Sequence, residues 1–239
     1  MAPDGEVRAI ARVAQVTSHR VPRRDLGRDG PAISSIGFGC GGFWGLPEYP
    51  EIEAERVVEA CIDAGVTFFD TGPNYSRGHA ETRIGRLFAG IEDRVFIATK
   101  VGSRLDRWGR QVRDFSPDGI AQSVEESLSR LRRSHVDLLQ LHGPPLSVLQ
   151  DEGVLRRLED IRGQGMVRRL GVSGDGEIVR YVAASPVFDC IMTTVNLLER
   201  GNLAGVALAS QAGKAVLVKS PMAHAVVSPS LLRPRRLSD

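Results

Sequence analysis

Lysine is almost missing from this 239-residue chain: Lys100, Lys214 and Lys219 are the only three of its 31 basic residues, so 28 are arginine. Where basic positions have drifted so far to arginine, a lysine kept at the end of an apolar run marks a place for a compact ammonium with a tunable pKa. Cysteine is as scarce, and Cys40, Cys61 and Cys190 lie too far apart for a disulfide framework or a zinc site. That spacing points to a reducing compartment, the cytoplasm by default, and no metal site is expected. No apolar run reaches the roughly 18 residues of a membrane span. The N-terminal MAPDGEVRAIARVAQV has no apolar signal core, and with Asp4 and Glu6 it is a poor transit peptide. Charge of one sign is lacking too. With 31 basic against 29 acidic residues and only Arg233, Arg235 and Arg236 clustered, nothing points to nucleic acid or to a membrane surface.

Without low-complexity segments or linkers, the chain reads as one domain over 20–227, with loosely held ends at 1–19 and 228–239. Short β-branched runs alternate with amphipathic stretches from residue 36 onward, the pattern of βα units on a parallel sheet. Strands are expected near 36–40, 67–70, 95–101, 136–142, 167–173, 189–196 and 215–220. Helices are expected near 53–64, 80–89, 117–133, 152–163, 176–184 and 201–212. In 117–133, Ser116 suits the cap, Pro117 the first position, and Ile120, Val124, Leu128 and Leu131 recur at helical spacing. Gly65, Gly90, Gly165 and Gly213 close helices in phase. Before the first unit, Val21–Ser35 carries the turn Gly27-Arg28-Asp29-Gly30, which predicts a β-hairpin placed to plug the bottom of a barrel. The glycine run GFGCGGFWG lacks the G-x-G-x-x-G spacing of a dinucleotide fold, which favours a closed barrel over a doubly wound sheet.

Four residues at or just past strand ends carry the chemistry: Asp70 and Tyr75 in FFDTGPNY, Lys100 in VFIATK and His142 in VDLLQLHG. Each alone has an ordinary structural use, such as a turn cap, a packed aromatic, a snorkelling amine or a hydrogen-bonded core imidazole. Together at three strand ends they match the way barrel enzymes build sites. An ammonium and a carboxylate beside a phenol equip it for proton transfer. His79 and Glu81 read as surface or capping residues, His135 as part of an exposed turn, and His224 lies just past the seventh strand.

At these residues the chain resembles the aldo-keto reductase family, through FFDTGPNYSRGHAETRIGRLF, ATK and LQLHG, over about Val21 to Met222. The resemblance implies a (β/α)8 barrel of TIM type with an N-terminal hairpin. It also implies NADP(H)-dependent reduction of an aldehyde or ketone, or oxidation of the alcohol, with Tyr75 as proton donor. Lys100 and Asp70 would tune the phenol and His142 would orient the carbonyl. Trp44 corresponds to a pocket-lining aromatic, and Ser173 to a contact of the nicotinamide amide. The cofactor-facing set would be Ser173, Asp70, Met192, Lys219 and Ser220. Gly174 and Met192 stand where the family has an amide-clamping Asn and Gln, and Lys219 stands where many members stack a tyrosine, as in some bacterial members. No eighth βα unit is evident after VLVKSPM, which leaves two strand edges open for a partner chain, as in a homodimer, for the N-terminal 19 residues or for the tail itself to cover. These departures motivate an alternative, a redox-neutral acid/base enzyme without a cofactor, such as a dehydratase, isomerase, cyclase or lyase. An inactive or truncated relative is the third reading.

Overall fold

The computed structural model describes residues 20–223. A hairpin of β1 (Arg23–Asp25) and β2 (Ala32–Ser34) comes first, paired antiparallel with Arg24 opposite Ile33. Then come β3 (Gly37–Gly39), α1 (Glu51–Asp63), β4 (Phe68–Asp70), α2 (Ala80–Leu87) and β5 (Phe96–Val101). A second hairpin follows, β6 (Ser103–Leu105) with β7 (Gln111–Arg113). Next are α3 (Pro117–Leu131), β8 (Leu138–His142), the short α4 (Leu146–Leu149), α5 (Glu152–Gly163) and β9 (Leu170–Ser173). The chain continues with α6 (Glu177–Ala184), β10 (Cys190–Thr194), α7 (Leu203–Gln211) and β11 (Ala215–Lys219).

Seven strands form one parallel sheet in the order β11-β10-β9-β8-β5-β4-β3. This is a curled (β/α) barrel wall whose outermost strands, β3 and β11, each have one neighbour among the described residues. No eighth strand follows β11 within those residues. The expected tail at 228–239 and His224 lie outside the described residues.

Alternation along each strand sorts side chains into an interior and a helix-facing set. In β5, Ile97 and Val101 join the large cluster under the helices, whereas Phe96 and Ala98 face inward with Phe68, Leu138, Cys190 and Ala215. Leu26 and Ile33 of the hairpin belong to that inner cluster, so the hairpin closes the lower end of the barrel as expected. Helix α3 also forms as its sequence dictates: Ser116 Oγ accepts from the Gly119 amide at 3.1 Å, Pro117 opens the helix, and Ile120, Val124, Leu128 and Leu131 are buried. Helices α2 and α3 end two residues earlier than their apolar periodicity suggests. At the end of α3, Arg132 turns left-handed with φ 55°. The β6–β7 hairpin was not expected. Three-residue strands are too short to show a period, and its turn is held by Asp106 Oδ1, which accepts from the Trp108 and Arg110 amides at 2.9 Å each.

Candidate active site

The inward faces of these strands change from apolar to polar on reaching their C-terminal ends. Phe68 leads to Asp70, Phe96 and Ala98 to Lys100, and Leu138 to Gln140 and His142, always at a spacing of two. Strand register then brings the polar ends together, with Lys100 opposite Gln140 and His142 opposite Ser173.

Lys100 is 1% exposed. Its Nζ donates to Asp70 Oδ2 at 2.6 Å and to the Thr71 carbonyl at 2.7 Å, and lies 4.5 Å from the centroid of the Tyr75 ring. Burial alone pulls this ammonium's pKa down, but the Asp70 carboxylate and the Tyr75 phenol outweigh it and hold it above its ordinary value. Gln140 Nε2 donates to the other carboxylate oxygen of Asp70 at 3.1 Å, so both oxygens are engaged.

Tyr75 opens a tight turn in which Ser76 and Arg77 both adopt positive φ, at 51° and 57°. Ser76 Oγ anchors that turn by donating to the Gly42 carbonyl at 2.8 Å. The ring fits between two glycines: a Cβ on Gly41 would stand 3.0 Å from it, and one on Gly72 3.3 Å. The His142 ring meets the Tyr75 ring edge-on, with centroids 6.1 Å apart. Burial, then Lys100, Lys219 and Arg113, lower the His142 pKa to about 4, so the imidazole is neutral near pH 7. Its Nδ1 is buried without a partner among the described residues. The four residues singled out by sequence are therefore one cluster.

Beside His142 a cleft of about 340 Å³ opens, lined by Ser173, Gly174, Asp175, Lys219 and Arg113 among others. Lys219 Nζ lies 3.3 Å from Asp175 Oδ2 and 3.5 Å from Ser173 Oγ. Asp175 was missed in the sequence, although it follows LGVSG directly. It accepts from Thr193 Oγ1 and the Thr194 amide at 2.7 Å each and from Asn202 Nδ2 at 2.9 Å. Burial raises its pKa, but these donors and Lys219 outweigh that and keep it low. A side chain at Gly174 would put its Cβ 2.8 Å from Ile178 Cγ2, which accounts for the glycine where the resemblance expects asparagine. Met192 is buried beside Ser173 in β10, and Ser220 is half-buried with its carbonyl accepting from Asn196 Nδ2 at 3.2 Å.

Two expectations fail. Trp44 does not line this cleft: it is 8% exposed, its indole N–H donates to the Ala54 carbonyl at 3.3 Å, and Phe38 packs edge-on at 5.4 Å. The loop after β3 folds over α1 and takes the ring with it. Glu81 is not a surface or capping residue but fully buried, accepting from Thr99 Oγ1 at 2.5 Å and Arg130 Nε at 2.7 Å. A carboxylate in the interior needs such partners, and both come from elements distant in sequence. His135 is half-buried, its Nδ1 lying 3.3 Å from Ser134 Oγ.

The profile of the Aldo/keto reductase family matches residues 35–238. The chain belongs to the aldo/keto reductase family. It is 27% identical over 209 residues to an uncharacterized oxidoreductase of Bacillus subtilis, covering 86% of this chain and 66% of that protein. It is 34% identical over 161 residues to the 6-dehydroglucose reductase of Novosphingobium aromaticivorans, covering 63% and 50%. The matched regions thus span about half to two thirds of these relatives. Among solved structures, the holo form of an aldo-keto reductase from Bacillus halodurans superposes with TM-score 0.79 at 28% identity, covering 92% of this chain and 72% of that one. The glycerol dehydrogenase of Gluconobacter oxydans gives 0.73 at 28% identity, covering 94% and 69%. The chain is thus an oxidoreductase-family barrel, and the redox-neutral alternative is not favoured. Among the described residues no helix is long and apolar enough to cross a membrane, and no group of His, Cys, Asp or Glu could hold a metal ion.

Proposed function

We propose that this chain reduces an aldehyde or ketone, or oxidises the corresponding alcohol, with NADP(H). The observation that carries the reading is the Lys100 ammonium 2.6 Å from Asp70 and directly over the Tyr75 ring, with the neutral His142 ring at its edge. In carbonyl reduction the phenol of Tyr75 gives its proton to the oxygen as negative charge develops there. Lys100, held charged by Asp70, stabilises that charge and the phenolate left behind. A neutral His142 donates a hydrogen bond to the carbonyl without competing for the proton, orienting it toward Tyr75. Gln140 and Thr71 keep Asp70 and Lys100 from turning away.

The cleft beside His142 suits the nicotinamide end of the cofactor. Ser173 Oγ and Lys219 Nζ stand ready for a carboxamide, Ile178 and Pro144 supply apolar wall, Met192 is buried behind Ser173, and Asp175 holds Lys219 at the rim. When bound, the cofactor supplies or accepts the hydride at the carbonyl carbon, which is the half of the reaction these side chains cannot perform. The partner is a small carbonyl or alcohol, the setting the cytoplasm. A homodimer is the proposed assembly, which sedimentation velocity checks.

The test is stopped-flow reduction of a panel of small aldehydes and ketones with NADPH and with NADH. Tyr75→Phe is expected to lower kcat by about 10³-fold or more with cofactor affinity unchanged. Turnover by Tyr75→Phe at the wild-type rate, or no cofactor binding at millimolar concentration, would sink the reading.

A further inference from the structure

A second cleft, of about 760 Å³, lies at the opposite end of the barrel from the proton-transfer site. It opens under the N-terminal ends of the four central strands β4, β5, β8 and β9, away from the edge strands, and the β1–β2 hairpin forms one wall. Its walls carry six arginines: Arg23, Arg94, Arg132, Arg133, Arg168 and Arg169. The carboxylates on the same walls are four, Asp29, Glu92, Asp93 and Asp137, so six positive charges against four leave an excess of two in the cleft.

Three of these guanidiniums are held from behind. Asp137 is 5% exposed, accepts from the Ile97 amide at 2.9 Å, and fixes Arg133 at 3.7 Å and Arg168 at 3.4 Å. Arg133 also donates to the Glu92 carbonyl, and Arg169 to the Asp29 carbonyl, each at 2.9 Å. Asp137 is thereby neutralised within the wall. Among the described residues, Arg23, Arg94, Arg132 and Arg169 have no carboxylate partner. The crowding is felt by its neighbours: burial and then Arg168 lower the His135 pKa. Phe96 is the only aromatic of the lining besides that histidine, and it is buried, so the exposed part of the cleft is dominated by guanidinium charge rather than by aromatic rings.

We propose that this basal cleft is a binding site for a compact polyphosphate anion, separate from the cofactor cleft. Planar guanidiniums pair two-pronged with phosphate oxygens, and fixed ones lose less freedom on binding than mobile lysines would. The volume is that of a small-molecule site, and the excess of guanidinium charge assigns the recognition to the phosphates themselves. A ligand there stabilises the folded barrel by mass action without touching Tyr75 or Lys219.

The experiment is titration calorimetry of the full chain with sodium tripolyphosphate at about 50 mM salt, where screening is weak. Saturable binding is expected, weakened about tenfold or more by the double variant R23Q/R94Q, whose side chains are exposed. Arg132→Gly, at a left-handed residue that glycine adopts freely, gives a second reading should the double variant fail to fold. Lys219→Ala at the far end, and Arg56→Gln on the outer helix, should leave the affinity unchanged. A parallel titration with ATP separates two sources of the same chemistry: equal affinity means that nucleotides fit, and much weaker affinity means that free polyphosphate is the ligand. No saturation by about 5 mM would overturn the site, since that affinity is no better than a diffuse ion atmosphere. So would equal affinity in all arginine variants, or loss of binding in Lys219→Ala. Because NADPH is absent throughout, the result is independent of the redox reading.

Discussion

At the lower end of the barrel interior, Phe68, Phe96, Leu138, Cys190 and Ala215 close over Leu26 and Ile33 of the hairpin. A few residues further along the same strands, Asp70, Lys100, Gln140 and His142 point in the same direction. The lower layer is held by apolar burial, which is tolerant of shape. The upper layer is held by charge-assisted hydrogen bonds, which are costly to leave unmade. One set of strands thus carries a scaffold and a reactive centre, and the two ends should respond to mutation in opposite ways.

The largest effect is expected at the upper end. Lys100→Met leaves Asp70 without its cation and should lower unfolding free energy by about 3 kcal/mol as well as abolish turnover, read by urea melts and NADPH oxidation. At the lower end, Leu26→Ala should cost a similar ~3 kcal/mol while kcat/KM stays within about twofold of wild type. If Leu26→Ala cost activity in proportion to stability, the two layers would not be separable.

A smaller effect follows from His142. Its pKa near 4 in the folded chain lies below the unfolded value of 6.5. Between these values the unfolded state binds more protons, so stability is full above pH 6.5 and falls as pH drops toward 4. Allowing for the ring's partial exposure, the loss should be no more than about 2 kcal/mol. Melting temperatures from pH 7 to 4 should fall more steeply for the wild type than for His142→Gln. The smallest effect belongs to neither end: Ser116→Ala removes the α3 cap and should cost about 1 kcal/mol with no change in turnover.

Much of the scaffold was legible in the chain. Ser116-Pro117 and the apolar spacing through Leu131 define α3 locally, and the alternation in FFD, FIATK and LLQLH fixes which side chains share a face. The joint occurrence of Asp70, Tyr75, Lys100 and His142 was legible for the same reason, since strand ends on a parallel barrel meet at one rim. Other features were not. Trp44 looked available among glycines but is drawn under its own loop by Phe38 and Ala54. Glu81 looked like a helix-start acid, because nothing near it in sequence announces Thr99 and Arg130. Asp175 gains its role only when β10, β11 and the residue before α7 come alongside it.

The sequence alone determined the succession of βα units, the hairpin under them and the residue types available at the rim, because periodicity, capping and turn chemistry act over a few residues. Only the tertiary structure decided that Lys100 bonds Asp70 rather than solvent, that His142 is neutral, that Trp44 belongs to the core, and that six arginines border one basal cleft. Those outcomes depend on burial and on charges brought close by strand register, and neither exists until the strands are paired.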